Sequence, residues 1–109
     1  MINKVILVGN AGKDPEVRTI NSDVKTASLS LATTERFRDK DGNVQENTQW
    51  HNVVAFRGAA AVMESYVKKG SLLYIEGSLR YRDWTGQDGQ KHYVTEIVAE
   101  TVKLLDKKA

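Results

Sequence analysis

Only one stretch of this sequence, Gly58–Lys69, carries a helical period. Ala59, Val62, Met63, Tyr66 and Val67 recur there at steps of three and four, and Gly70 stands where a helix C-cap belongs. On either side the chain reads as strand. From Lys25 to Thr33, Ala27, Leu29 and Leu31 point one way and Thr26, Ser28 and Ser30 the other, the pattern of a half-buried antiparallel strand. Ile2–Val8 is short and rich in β-branched residues, which suits a strand buried on both faces or closing a barrel. A third strand is expected over Asn47–Phe56, and two long ones over Leu72–Trp84 and Lys91–Leu105, with Gly77 marking a bulge or sharp bend. Turn residues separate them at Gly9–Gly12 with Asp14-Pro15, at Asn21-Ser22-Asp23, at Asp39–Asn43 and at Thr85–Gln90. Glu16–Ile20 can resume as a short strand.

Three strands, one helix and two strands is the element order of a five-stranded Greek-key OB-fold barrel, all-β with a single helix between strands three and four. An SH3-like barrel or an open α+β sandwich fits the same order. At 109 residues with one proline and no low-complexity segment, the chain is expected to form one domain over residues 1–105, followed by a short basic end at 106–109. The absence of cysteine excludes disulfides, iron–sulfur clusters and thiolate zinc sites, and His51 and His92 alone make a histidine metal site a poor expectation. No cofactor is expected. No apolar run approaches the roughly 20 residues of a membrane span, and Met1–Asn10 lacks the form of a signal peptide. A soluble, intracellular protein with no membrane partner is the expectation.

The net charge of +2 is too mild to announce a nucleic-acid partner, so placement decides. In Arg80-Tyr81-Arg82-Asp83-Trp84, strand parity puts Arg80, Arg82 and Trp84 on one face and Leu79 and Tyr81 on the other. Guanidiniums neutralise phosphates and an indole offers a face on which a base stacks, for roughly 1–3 kcal/mol per base. An ordinary solvated face with one exposed Trp is the plainer reading. In the third strand Trp50, Asn52, Val54 and Phe56 share a parity, opposite His51, Val53 and Ala55; by itself this segment reads as core. Arg36-Phe37-Arg38 with Lys40 opens the hairpin that follows Thr33, and suits either a solvated arm or a finger closing over a strand. Three such clusters from distant segments, which a barrel would bring together, are less easily read as ordinary surface and core than any one of them.

The blocks Asn3–Asn10, Asp14–Arg18, Thr48–Val54, Lys69–Ser71, Tyr74–Arg80 and Trp84-Thr85 resemble, in order, the bacterial-type single-stranded DNA-binding proteins, over about Ile2 to Val102. The resemblance implies an OB-fold that binds single-stranded DNA with little sequence preference, as a homotetramer, in the cytoplasm of a bacterium or from a mobile element. It implies stacking roles for Phe37, Trp50, Phe56 and Trp84, Phe37 standing where the family often has Trp. It places Lys4, Arg18, Lys69, Arg80 and Arg82 on the DNA surface, and Arg57 one step from a common family lysine. Arg36 and Arg38 join them as phosphate contacts on the hairpin. His51 matches a family histidine at subunit contacts. Family members usually continue through a flexible tail to an acidic tip that recruits other proteins; this sequence ends Lys107-Lys108-Ala109, so recruitment of that kind is not expected of it.

Two other readings are open. The same surface would serve RNA, because stacking and phosphate contacts do not read the 2′-hydroxyl. A nuclease would need clustered carboxylates or a nucleophile beside a base. The acidic residues are scattered, and Glu76, the one strand carboxylate with a claim to more than solvation, has no acidic partner. No catalysis is expected.

Overall fold

The computed structural model describes residues 1–20 and 23–106. The expected turn at Asn21-Ser22 and the basic residues Lys107 and Lys108 lie outside them. Its elements are β1 (Val5–Ala11), β2 (Glu16–Ile20), β3 (Val24–Arg38), β4 (Val44–Phe56), α1 (Gly58–Tyr66), β5 (Leu72–Thr85) and β6 (Lys91–Leu104). The sheet runs β1-β5-β6-β4-β3-β2, and an additional pairing of β1 with β3 closes five of these strands into a ring. The parallel β4–β6 pairing, with Val53 opposite Ile97 and Ala55 opposite Ala99, is the Greek-key crossing. The expected five-stranded barrel is therefore present. Because Glu16–Ile20 forms a strand of its own beside β3, the helix lies between β4 and β5 rather than between a third and fourth strand.

The alternation read in Lys25–Thr33 is the reason the barrel has an interior. Ala27, Leu29 and Leu31 are buried, and opposite them stand Val53 and Ala55 of β4 and Leu73 and Ile75 of β5. Each large side chain removed from water in this way contributes roughly 1.5–3 kcal/mol. Helix α1 plugs one end of the barrel with Ala60 and Met63, both fully buried. It stops three residues earlier than its apolar period suggests, because Val67 leaves the helix in an extended conformation and enters the core at 4% exposure. Gly70 is thus no helix cap. With φ +90° it belongs to the next turn, where the Ser71 N–H donates to the Lys68 carbonyl at 2.9 Å.

Gly77 makes the expected bulge. Glu76 pairs with Thr101 and Gly77 with Ala99, so Glu100 is the extra residue, and a Cβ on Gly77 would fall 1.9 Å from the Val98 carbonyl oxygen. The β3–β4 ladder outruns the sequence reading: pairing continues from Thr26–Phe56 to Arg38–Val44, making an exposed arm. Cross-strand contacts keep it paired beyond the core: Thr34 Oγ1 meets Thr48 Oγ1 at 3.0 Å, and Arg36 Nε lies 3.1 Å from Glu46 Oε1. At the tip, Asp39 Oδ1 accepts from the Asp41 and Asn43 N–H groups and Oδ2 from Gln45 Nε2. The Gln45 side chain, then the Asn43 N–H, hold the Asp39 carboxyl below its ordinary value of 3.8.

Candidate nucleic-acid interface

The outer face of β4 is where aromatic and polar groups gather. Val53 and Ala55 point inward with no exposed surface, so Trp50, Asn52, Val54 and Phe56 point out. Trp50 is 63% exposed. The core reading that this segment invites by itself is wrong for Trp50, because the burying is done by the opposite parity. The indole is nonetheless placed: a Cβ on Gly12 would lie 2.4 Å from Trp50 Cζ3, so the ring rests against backbone that only glycine leaves bare. The Gly12 N–H donates to the Ser30 carbonyl at 2.8 Å, which ties that backbone to β3.

Beside this face run two adjoining hollows of about 270 and 310 Å³. They share Glu16, Ser28, Val54, Arg82 and Glu96. Lys13, Ser30 and Asn52 line the first, and Arg18, Phe56 and Arg80 the second. Arg80 and Arg82 lie on one side of the β5–β6 hairpin, as parity requires, and both reach the same carboxylate. Glu96 Oε1 accepts from Arg80 Nε at 2.8 Å and from Arg82 Nε at 3.1 Å, with Arg80 Nη2 also bonded to it. The Arg80 guanidinium carbon stands 5.5 Å from the centroid of the half-buried Phe56 ring.

Four of the expected residues, Arg18, Phe56, Arg80 and Arg82, thus share one hollow, and Trp50 lies on the same outer face of β4. Trp84, half exposed, is farther out on the β5–β6 hairpin, its indole stacked on His92 with centroids 4.3 Å apart and planes at 20°. Phe37, 49% exposed, Arg36 and Arg38 are at the end of the β3–β4 arm, where Arg36 is paired to Glu46. Arg57 is exposed at the entry to α1 with φ +56°, and exposed Lys69 has its N–H on Asp14 Oδ1 at 2.8 Å. Lys4 lines neither hollow. It lies 3.7 Å from Glu76, whose Oε1 also accepts from the Tyr74 hydroxyl at 2.8 Å; that bond to a carboxylate raises the Tyr74 phenol above 10.0. His51 is half-buried with Nε2 2.9 Å from Thr33 Oγ1.

Sequence reasoning singled out the wrong carboxylate. Glu76 is an ordinary partner of Lys4 and Tyr74, whereas Glu96, at 2% exposure, is the buried acid and was passed over. A signal existed: folding the hairpin about its turn sets Trp84 opposite His92 and Arg80 opposite Glu96. Gly12 was read only as a turn residue. Its contact with Trp50 joins segments far apart in the chain and has no local signature.

The sequence profile of the Single-strand binding protein family matches residues 2–105. A single-stranded DNA-binding protein of Xylella fastidiosa (strain Temecula1) is 52% identical over 104 residues, covering 95% of this chain and 63% of its own length. One from Xanthomonas axonopodis pv. citri is 48% identical over 104 residues, covering 95% and 58%. The chain thus spans about three fifths of the length of these two relatives. Among solved structures, the Plasmodium falciparum SSB in complex with ssDNA superposes with a TM-score of 0.88 at 31% identity, covering 97% of each chain. A deletion mutant of the single-stranded DNA binding protein from Thermus aquaticus gives 0.81 at 30% identity, covering 96% of this chain and 51% of that one. Barrel, exposed ring and sequence blocks thus agree over nearly every residue, and the chain belongs to the single-strand binding protein family.

Proposed function

We propose that this domain binds and protects single-stranded DNA in replication, recombination and repair, without catalysis and with little regard for base sequence. The observation that carries the reading is the outward Trp50 on the same face of β4 as Phe56, which lines a hollow with Arg18, Arg80 and Arg82. Arginine and lysine neutralise the backbone while Trp50, Phe56, Trp84 and Phe37 stack bases. Lys4, Arg36, Arg38, Arg57 and Lys69 extend the cationic surface outward from the hollows. Stacking tolerates every base and phosphate contact reads none, so selectivity is for a flexible, unpaired strand. The names of the relatives and of the DNA-bound neighbour support the same ligand.

The domain acts as a homo-oligomer, a tetramer, in the bacterial cytoplasm. Ile6 and Val8 on the outer face of β1 are 54% and 51% exposed, an apolar strand face suited to a second copy, with His51 at a subunit contact. A salt titration of oligo-dT against duplex DNA, followed by intrinsic fluorescence, tests the binding reading. Quenching by oligo-dT is expected, with a binding constant whose logarithm falls linearly with the logarithm of salt concentration. Unchanged emission at saturating oligo-dT, or equal affinity for duplex, overturns it.

A further inference from the structure

The cationic face contains its own anion. Glu96 is the buried charged side chain among the described residues and lines both hollows, yet its bonds go to the two arginines on which phosphate capture depends. Those arginine side chains are 43% and 52% exposed. Glu96 engages the Nε of each guanidinium, and Nη2 of Arg80, leaving outward N–H groups for solvent or ligand. The two arginines and Glu96 together leave a single net positive charge, with Glu16 a second carboxylate lining both hollows. An arriving phosphate and Glu96 therefore draw on the same donors.

We propose that Glu96 is an internal competitor of the nucleic-acid backbone: it holds Arg80 and Arg82 in place in the empty protein and limits how tightly they hold a strand. This rests on the reading of the face as a single-stranded DNA site. The position of Arg80 adds a second effect. Its guanidinium stands over Phe56, so a base that uses this ring must displace a cation tethered to Glu96 or stack against it. The carboxylate thus weighs on both phosphate capture and stacking, and the strand it weakens is exchanged more readily. A carboxylate serving only to fill and satisfy the barrel would instead affect stability and leave the affinity of the folded protein unchanged.

Oligo-dT titrations at about 50 and 200 mM salt test this on the whole chain, with Glu96→Gln as the main variant and circular dichroism to confirm folding. A carboxylate about 7 Å from a phosphate repels it enough, even at the dielectric constant of water, to weaken binding by about threefold. Glu96→Gln should therefore bind at least about threefold more tightly at low salt. One more effective cation on a single strand steepens the salt slope by about 0.7, an extra loss of about 2.6-fold for a fourfold rise in salt. Adding Arg82→Gln to that variant should return the slope toward the original. Glu96→Asp keeps the charge but is too short to span both arginines. By releasing donors of one arginine it should bind more tightly than the parent, though by less than Glu96→Gln does, and it serves as the deciding variant should Glu96→Gln not fold. Weaker binding by Glu96→Gln, or a tenfold loss in Glu96→Asp, would mean that the carboxylate serves binding by orienting the arginines, and overturns the proposal. Equal affinity and slope in all variants overturns it too. Failure of the unsubstituted protein to bind oligo-dT is a separate result, which removes the reading of the face itself.

Discussion

Gly12→Ala is the substitution in which a single methyl group should separate the fold from its function. The added Cβ would sit 2.4 Å from Trp50 Cζ3 and 3.1 Å from Cη2, with the Ser30 carbonyl oxygen at an acceptable 3.5 Å. Ordinary contact needs about 3.6 Å, so the ring must move by roughly 1 Å. The backbone is not the obstacle, and the indole is free to move because Trp50 is 63% exposed. Driving a side chain about 30° off its rotamer costs about 0.5–1.5 kcal/mol, a modest part of the stability of a domain this size. The cost to binding is bounded by what the ring supplies as a stacking platform, about 1–3 kcal/mol, or roughly 5- to 150-fold in affinity. Urea melts and oligo-dT fluorescence titrations of Gly12→Ala, Trp50→Ala and the double variant form a complete cycle. Gly12→Ala should melt close to the parent, shift the tryptophan emission and lose affinity, and should cost almost no further affinity once Trp50 is gone. Additive affinity losses would show that Gly12 does not act through Trp50. A stability loss above about 3 kcal/mol that Trp50→Ala fails to relieve would place the clash in the barrel and refute the reasoning.

Trp50→Ala and Trp84→Ala should each weaken oligo-dT binding by about 1–3 kcal/mol while the barrel persists by circular dichroism; unfolding would mark the ring as a structural support. Gly77→Ala should cost about 3 kcal/mol or more in a urea melt, because its Cβ meets the Val98 backbone oxygen at 1.9 Å and no flexible side chain can yield; a loss below 1 kcal/mol would mean that the bulge is soft. Since hydrogen bonds from Gln45 and Asn43 depress the Asp39 carboxyl, its contribution to the hairpin tip is complete above the ordinary 3.8 and is lost as pH falls below that value. The amide shift of Asn43 should titrate with a midpoint below 3.8 and lose that titration in Asp39→Asn; a midpoint above 3.8 refutes the bonding seen at the tip.

The parts of this fold that follow a local rule were legible in the sequence. Ala27, Leu29 and Leu31 alternate because one face of β3 is core, and Gly77 stands alone in an otherwise continuous strand pattern because β5 bends there. The helix end was misread because Val67 satisfies the helical period and the core at once, and the core captures it in extended form. The length of the β3–β4 arm was not legible, since polar cross-strand pairs such as Arg36–Glu46 hold it without an apolar face. At the site, residue types were informative and their pairing was not. Arg80 and Arg82 read as free cations because one strand of a hairpin does not reveal what the other presents to it, and Glu96 is supplied by β6.

The exposed ring and the closure of the barrel depend on the same few residues. Strand β3 pairs with β2 over Val24–Ser28 and then with β1 at Leu31 and Ala32, so its edge changes partner between Ser28 and Leu31. The chain crosses that break through Gly12–Pro15, and the Gly12 N–H continues the β1 ladder by one more bond to Ser30. A side chain at this crossing would be driven against whatever β4 presents, and β4 presents Trp50, opposite Ala32. Ser28 and Ser30 on one side and Lys13 and Glu16 on the other then line the start of the first hollow. A continuous β1–β2 strand lying flat along β3 would pair these groups and leave no such crossing. The hollow exists because the ladder must change partners to close a barrel of five strands, which is why Lys13, from a segment whose local sequence announces only a turn, lines it beside residues of β2, β3 and β4.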